Sequence, residues 1–258
     1  MRFQKKIKKV KQLNSDTFLI RIKSEDIAHT AQAGQFVNIK CCQGLNAYLR
    51  RPISICSIDR EHHTFDIVYQ VRGEGTSLLC AFEADDEVDV MGPLGKGFTI
   101  NPEHEHIVVV GGGIGTFPLL QLLKDHPARK KTAILGFRNH ELVVLEDKFK
   151  KHSDELLIAT DDGSYGEKGF VTSLLEQKLQ QERVDMVYFC GPTIMMKLGV
   201  KMLLERNIPC EVSMEQRMGC GIGACLVCAC KTRTEDDWDY SHVCKDGPVF
   251  RGEEVIFD

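Results

Sequence analysis

Four cysteines near the C-terminus constrain how the end of this chain can fold. Cys220, Cys225 and Cys228 form a C-x4-C-x2-C run, and Cys244 follows at a distance. This is the ligand spacing of a plant-type [2Fe–2S] centre, which transfers single electrons. Apart from its cysteines, the loop from 219 to 225 is mostly glycine and alanine, so its backbone can fold tightly and direct N–H groups at inorganic sulfur. The pattern therefore favours iron–sulfur over zinc.

Position alone does not decide whether Cys244 or Cys230 is the fourth ligand. Cys230 lies two residues after Cys228 in a run that reads as a strand, where the two side chains would share a face. The chain has 11 cysteines, an odd number, and no secretion signal, which favours reduced thiols and metal ligation over disulfides. We expect the other six to be small buried hydrophobic residues: Cys41, Cys42, Cys56, Cys80, Cys190 and Cys210.

Length and charge indicate small-molecule chemistry. A chain of 258 residues is long enough for two domains and a small cysteine-rich third. The net charge of −4 is spread without long blocks of one sign, so nothing indicates nucleic-acid binding. The basic start is not followed by an apolar stretch, and no window reaches the roughly 18 apolar residues of a membrane span. We therefore expect a cytoplasmic protein with no membrane or nucleic-acid partner.

Short β-branched or alternating runs dominate the first part of the chain, as in a small antiparallel barrel. One helix is predicted there, at Thr76–Phe82. The predicted strands are Thr17–Lys23, Gln35–Lys40, Pro52–Ile58, Thr64–Val71 and Glu87–Met91.

From Glu105 onward, apolar strands alternate with amphipathic helices, which is typical of an open parallel sheet. We therefore predict a mixed β and α/β protein with an antiparallel β-barrel at 1–101, a parallel five-stranded α/β nucleotide-binding domain at 102–213, and a cluster domain at 214–258. The predicted strands of the sheet are 107–110, 133–137, 156–160, 186–190 and 209–214, and the helices are 118–124, 146–151, 171–181 and 195–205.

Two loops follow strands of the predicted sheet where a dinucleotide can bind. The first, Gly111-Gly112-Gly113-Ile114-Gly115, opens a helix, whose N-terminus attracts pyrophosphate. It departs from G-x-G-x-x-G, because residue 116 is Thr, and taken alone it fits an ordinary tight turn equally well. The second, Cys190-Gly191-Pro192, ends another strand, and ligands of open α/β sheets bind at such carboxyl ends. The two loops together predict a nucleotide site.

The barrel carries a second candidate phosphate site. The segment Arg51-Pro52-Ile53-Ser54 offers a guanidinium and a hydroxyl, and Gly75-Thr76 lies at the start of the predicted helix. Together these groups could hold a pyrophosphate. Taken singly, Arg51 also fits a surface charge and Gly75-Thr76 a simple helix cap.

The order of these motifs resembles that in the ferredoxin reductase superfamily. It runs from Arg51-Pro52-Ile53-Ser54 through Val68-Tyr69-Gln70 and Gly75-Thr76 to the glycine loop, Cys190-Gly191-Pro192 and the terminal cysteines. More closely, MEQRMGCGIGAC at 214–225 and VCKDGPVF at 243–250 resemble the electron-transfer subunits of class 1B dihydroorotate dehydrogenases. The resemblance covers essentially the whole chain.

The resemblance implies three binding sites. FAD would be held by Arg51, Pro52, Ile53, Ser54, Val68, Tyr69, Gln70, Gly75 and Thr76. NAD, as substrate, would occupy Gly111, Gly112, Gly113, Ile114, Gly115, Cys190, Gly191 and Pro192. The [2Fe–2S] cluster would be bound by Cys220, Cys225, Cys228 and Cys244, with the family spacing favouring Cys244 over Cys230.

The resemblance also implies an oxidoreductase subunit of pyrimidine biosynthesis. Its partner would be an FMN-containing dihydroorotate dehydrogenase subunit, in a heterotetramer with two copies of each. Nicotinamides exchange hydride and clusters take single electrons, so a flavin must lie between them. No residue is predicted to act as a catalytic acid or base.

Two other functions remain open at the level of sequence. The first is a flavin and iron–sulfur subunit of a ferredoxin:NAD(P) oxidoreductase or sulfide dehydrogenase complex. The second, from a different class, is a non-catalytic module in which the four cysteines form a closed zinc site.

Overall fold

The computed structural model describes residues 4–42, 44, 46–235 and 237–257; Met1 to Phe3 of the predicted barrel domain and Asp258 of the predicted cluster domain lie outside them. The N-terminal part is a closed barrel with strand order β1-β2-β5-β4-β3-β6. Its pairings are antiparallel. The strands are β1 (Gln4–Gln12), β2 (Thr17–Lys23), β3 (Phe36–Ile39), β4 (Arg51–Asp59), β5 (Thr64–Gln70) and β6 (Glu87–Leu94), with helices α1 (Glu25–Thr30) and α2 (Glu74–Leu79).

The five predicted barrel strands are present, but β1 and α1 were not predicted. The lysines of β1 point mainly outward and its Ile7 is fully buried. A lysine-rich run forms a strand here because it pairs with β2 on one side and β6 on the other, which closes the barrel. Helix α2 starts at Glu74 and not at Thr76, because Thr76 is the third helical residue and its side chain reaches back to cap the helix.

The second part is a sheet with order β10-β9-β8-β7-β11-β12-β15. All five predicted strands are parallel in it. The sheet has seven strands and not five, because the short β10 adds to one edge and β15 to the other. The elements are β7 (His106–Gly112), α3 (Phe117–Asp125), β8 (Lys130–Phe137), α4 (Glu146–His152), β9 (Glu155–Thr160), β10 (Glu167–Lys168), α5 (Val171–Gln181), β11 (Met186–Cys190), α6 (Thr193–Leu204) and β12 (Cys210–Ser213).

The C-terminal segment is attached to both other parts. It forms a hairpin of β13 (Ala229–Arg233) and β14 (Trp238–His242), and β15 (Val249–Arg251) then pairs antiparallel with β12. Phe36 of the barrel packs in one hydrophobic core with Cys228 and Cys244 and with residues of the sheet. The cysteine loop is therefore held against a rigid support.

Helix α3 fixes the barrel to the sheet. Gln121 is fully buried, and its Oε1 accepts a hydrogen bond of 2.6 Å from the backbone N–H of Ile58 in β4. The Lys124 ammonium donates to Ser57 Oγ and to the Ile58 carbonyl, both at 2.9 Å. These bonds satisfy polar groups that the interface buries, so the two parts keep a defined orientation. No helix in the described ranges has both the length and the apolar character needed to cross a membrane.

A buried histidine at the C-terminal end of α3 makes the free energy of unfolding sensitive to acid. His126 is 2 % exposed, and its Nδ1 accepts from the Ala128 N–H at 3.1 Å. Burial, followed by the charges of His104 and Lys131, lowers its pKa to about 4. An unfolded chain would titrate this group near pH 6.5. Its contribution to stability is therefore complete above about pH 6.5 and is lost as the pH falls toward 4.

We expect His126→Asn to flatten this dependence, because the amide oxygen replaces the Nδ1 acceptor and cannot titrate. The measurement is the free energy of unfolding in urea between pH 7 and pH 4.5. Equal slopes for the variant and the wild type would contradict the assignment of this acid sensitivity to His126.

Candidate functional site

The predicted FAD residues lie where two barrel strands separate. Strands β4 and β5 pair from Ile55 to Asp59, with a register shift between Ile55 and Ser57. Before that point, Arg51–Ser54 of β4 pair with β3, whereas Val68–Gln70 of β5 pair with β2. Among the described residues, no ladder joins Arg51–Ser54 to Val68–Gln70. The two predicted segments therefore face each other across an opening in the barrel wall.

The guanidinium of Arg51 lies against the start of α2. A methyl group placed on Gly75 would overlap the Arg51 side chain, so the two predicted phosphate contacts occupy one place. The Thr76 hydroxyl accepts from the backbone N–H groups of Arg72 and Gly73, at 2.8 and 3.1 Å. The arrangement provides a cation beside ordered main-chain groups, which suits a pyrophosphate.

Burial divides the predicted FAD residues into two groups. Arg51, Pro52, Ile53, Ser54, Gln70 and Thr76 are partly exposed. Val68 and Tyr69 are only 4 % and 3 % exposed. The Tyr69 hydroxyl donates to Cys80 Sγ at 3.7 Å inside the barrel, and burial raises its pKa. Val68 and Tyr69 can therefore reach a ligand through their main chain or a ring edge, while their side chains support the barrel wall.

We expect Gly75→Ala to weaken FAD retention, because the new methyl group displaces the Arg51 guanidinium. Gly73→Ala is the matched control, since a methyl group at that helix cap meets no atom within 4 Å. The measurement is the FAD:protein ratio after dialysis. Equal FAD retention in both variants would count against a phosphate site at Arg51 and Gly75.

The two predicted nucleotide loops pack directly on each other. Gly111 in β7 pairs with Cys190 in β11, so the loops leave neighbouring strands at the same sheet edge. A methyl group on Gly115 would lie 2.5 Å from the Cys190 carbonyl oxygen. Gly113 adopts φ +55°, and a short 3-10 turn over Gly113–Thr116 leads into α3. This close approach requires glycine and exposes main-chain N–H groups where a dinucleotide phosphate could bind.

The thiol of Cys220 is surrounded by main-chain donors. Its sulfur accepts from the N–H groups of Ile222, Ala224 and Cys225 at 3.3 to 3.4 Å. Burial opposes ionisation of Cys220, but the N–H groups of Ile222, Cys225 and Ala224 outweigh it and lower the pKa to about 6. The loop is therefore arranged to stabilise a thiolate, the form that binds metal.

The four cysteine sulfurs form two pairs. The Cys220 N–H donates to Cys225 Sγ, and the Cys244 N–H donates to Cys228 Sγ, both at 3.4 Å. Across the pairs, Cys244 Sγ accepts from the Gly223 N–H at 3.1 Å. All four lie in the described part of the chain, yet no three of their sulfurs are within 4.8 Å of one another. A tetrahedral zinc site, with Zn–S near 2.3 Å, would bring all four sulfurs within about 3.8 Å. Two pairs suit two irons better than one zinc.

None of these hydrogen bonds involves Cys230. It lies on β13 opposite Ser241, is 7 % exposed, and burial raises its pKa to about 11. Main-chain N–H groups donate to the sulfurs of Cys220, Cys225, Cys228 and Cys244. The geometry favours Cys244 as fourth ligand.

We expect Cys244→Ser to abolish the EPR signal of the reduced cluster and Cys230→Ser to retain it. Serine replaces a soft sulfur ligand with a hydroxyl in the first variant, and only a buried thiol in the second. EPR spectra and iron content of the two purified variants test this. The opposite result would make Cys230 the ligand.

Sequence motifs did not single out Asn38 of β3. Its Nδ2 donates to the Cys220 carbonyl at 3.2 Å, although 182 residues separate the two. A lone asparagine in a short apolar strand carries no signal of this contact.

The barrel, sheet and cysteine loop together define the class of reductases with a ferredoxin reductase fold. One chain of the NADH-dependent reduced ferredoxin-NADP oxidoreductase matches with TM-score 0.86 and 32 % identity over 98 % of this chain and 90 % of that chain. The ferredoxin NADP+ reductase of Neisseria gonorrhoeae matches with TM-score 0.65 and 20 % identity over 78 % of this chain and 90 % of that chain, which shows the fold. The predicted fold class is confirmed.

Sequence comparison narrows the class. Residues 215–256 match the iron-sulfur cluster binding domain of dihydroorotate dehydrogenase B. The dihydroorotate dehydrogenase B (NAD(+)) electron transfer subunit of Fusobacterium nucleatum is 42 % identical over 95 % of this chain and 94 % of its own length. The subunit of the same name from Desulforamulus reducens is 38 % identical over 99 % and 98 %. The chain belongs to the family of electron transfer subunits of dihydroorotate dehydrogenase B, and the family prediction is confirmed.

Proposed function

We propose that this chain connects NAD to the FMN-containing catalytic subunit of a dihydroorotate dehydrogenase complex. Electrons from dihydroorotate oxidation on the partner would enter at the cluster and leave on NAD+. The carrying observation is the arrangement of four cysteines in two hydrogen-bonded pairs, next to a barrel in which Arg51–Ser54 of β4 pair with β3 and not with β5, in a chain of this family. Residues 1–101 would bind FAD, 102–213 NAD, and 214–258 the cluster.

The barrel residues would bind and orient FAD. FAD supplies the conversion between hydride and single-electron transfer. Arg51 and the N-terminus of α2 at Gly75 and Thr76 would hold its pyrophosphate. Pro52, Ile53 and Ser54 on one strand and Val68, Tyr69 and Gln70 on the other would line the opening for the ring system.

The sheet would present NAD to the barrel. Gly111, Gly112, Gly113, Ile114 and Gly115 would contact phosphate through main-chain N–H groups, and Cys190, Gly191 and Pro192 would close the other side. The bonds from Gln121 and Lys124 to β4 keep these loops oriented toward the barrel. Positioning of the two nucleotides is the chain's main contribution to hydride transfer.

The cysteine loop would form the docking face for the partner. Cys225 is exposed, and the apolar side chains of Ile222, Leu226 and Val227 around it are 55 %, 59 % and 57 % exposed. Contiguous exposed apolar residues mark interaction surfaces. An electron leaving or entering at the cluster crosses this face. The complex is proposed to be a cytoplasmic heterotetramer with two copies of each subunit.

A second candidate function rests on the similarity to the NADH-dependent reduced ferredoxin-NADP oxidoreductase. In that case the chain would serve a ferredoxin-linked complex. The higher identity to the dihydroorotate dehydrogenase B subunits, 38 to 42 %, favours the first proposal. Copurification with an FMN-containing dehydrogenase, followed by assays of dihydroorotate-dependent NAD+ reduction in the complex and in each half, separates the two. Ferredoxin-dependent turnover with no dihydroorotate activity would reverse the choice.

We expect Cys225→Ser to remove the cluster and to abolish dihydroorotate-dependent NAD+ reduction in the complex. NADH oxidation by an artificial dye should persist, because hydride transfer needs only the FAD and NAD sites. FAD content, iron content and both activities are measured on the same preparation. Dihydroorotate-dependent turnover at the wild-type rate would show that the cluster is not on the electron path.

A further inference from the structure

Strand β3 pairs with the proposed flavin segment and also contacts the cysteine loop. It pairs with Arg51–Ser54 of β4, with Phe36 opposite Ser54 and Asn38 opposite Pro52. Val37 and Ile39 point into the barrel core, so Phe36 and Asn38 share the outer face. Neighbouring strands lie about 4.8 Å apart. Asn38 is therefore one strand spacing from the segment that would bind FAD.

The cysteine segment packs on the same outer face of β3. Phe36 packs in the core that contains Cys228 and Cys244. Asn38 is 1 % exposed and donates through Nδ2 to the carbonyl of Cys220 at 3.2 Å. Its Oδ1 has no hydrogen-bond partner among the described residues. A buried amide with one unsatisfied atom costs free energy, so packing alone would favour an apolar residue here.

The loop is shaped around this amide. Gly221, which follows the first cluster cysteine, has φ +75°, and a methyl group there would lie 2.5 Å from Asn38 Nδ2. The close approach of loop and amide therefore requires glycine at 221. Two features separated by more than 180 residues in sequence, a buried donor and a left-handed glycine, meet at the main chain of Cys220.

We propose that Asn38 is a positioning residue that fixes the cluster relative to the flavin. Its amide holds the Cys220 carbonyl against β3, and β3 pairs with β4, which carries the proposed flavin segment. Asn38 thereby sets the distance between the two redox groups and the polarity of the protein between them. Hydrogen bonds around a cluster also tune its reduction potential. The inference rests on the proposed function, since it requires FAD on one side of β3 and a cluster on the other.

The test compares Asn38→Leu, which keeps side-chain size and removes the donor, with the wild-type chain. Anaerobic stopped-flow measures how fast the cluster is reduced by NADH, and a redox titration followed by EPR gives the cluster's midpoint potential. Loss of a residue that orients metal ligands typically lowers metal affinity or activity by about 10- to 100-fold. We therefore expect the rate of cluster reduction to fall by about tenfold or more. FAD content and NADH-to-dye activity should stay at wild-type values.

The matched control is Asn14→Leu. Asn14 Nδ2 also donates to a main-chain carbonyl outside the barrel, that of Glu141, at 3.1 Å. Both residues are far from the cysteine loop in sequence. The Asn14→Leu variant should leave the cluster's potential and reduction rate unchanged. A merely structural role of Asn38 would lower stability, as Asn14→Leu could, without shifting the potential.

Gly221→Ala perturbs the same contact from the loop side. It tests the role of Asn38 if Asn38→Leu does not fold. Gly163→Ala is its control, because Gly163 lies outside the cysteine loop, has a similar φ of +76°, and its added methyl group meets the Lys168 side chain. Gly221→Ala should shift the potential more than Gly163→Ala, and its effect should not add to that of Asn38→Leu.

The outcomes separate this inference from the proposed function. Wild-type protein that shows no cluster signal after NADH reduction would overturn the proposed function. A normal wild-type signal, with unchanged potential and reduction rate in Asn38→Leu or in Gly221→Ala relative to Gly163→Ala, would overturn the role of Asn38 alone.

Discussion

The change of partner along strand β4 is the constraint on which the rest of the site depends. Arg51–Ser54 of β4 pair with β3, and Ile55–Asp59 pair with β5, with a register shift between Ile55 and Ser57 inside the second pairing. This change leaves Arg51–Ser54 without a ladder on the side of β5 and so creates the opening proposed for FAD. It also places β3, and with it Asn38, between that opening and the cysteine loop. Irregular strand pairing often occurs beside functional sites, because one edge of the strand is left unpaired while its other edge stays hydrogen-bonded.

Close approach of another group to a glycine recurs at each of the proposed sites. Gly75 lies under the Arg51 guanidinium, Gly115 lies against the Cys190 carbonyl, and Gly221 lies against Asn38. In each case a side chain would push apart two segments that are distant in sequence. The glycines therefore do more than allow turns. They let charged or N–H groups from different elements converge on one ligand, which is how a chain with few charged site residues can bind phosphates and a cluster.

Local pattern was sufficient for much of the fold. Alternation and apolar runs located β2, β5, β11 and α5 closely, because these segments follow a single period and are buried by their neighbours. The pattern failed for β1, whose lysines resemble a basic leader, and for β15, a three-residue strand after the cysteines. Both are strands only because a partner edge is available to them. The cysteine spacing and the glycine loops were readable because chemistry limits those positions to few residue types.

The sequence by itself determined the ligand inventory: four spaced cysteines, a glycine loop after an apolar strand, and an arginine and hydroxyl segment in a barrel. Each is a short stretch in which spacing and residue type are the signal. Tertiary structure alone decided that N–H···S hydrogen bonds join the four cysteines in two pairs, that Arg51 meets the start of α2, that β15 ties the cysteine segment to the sheet, and that Asn38 contacts Cys220. These are contacts between residues far apart in the chain, and their geometry depends on how the strands pair and pack. No local period encodes that, so the candidate residues could be expected from sequence, whereas their contacts depend on the fold.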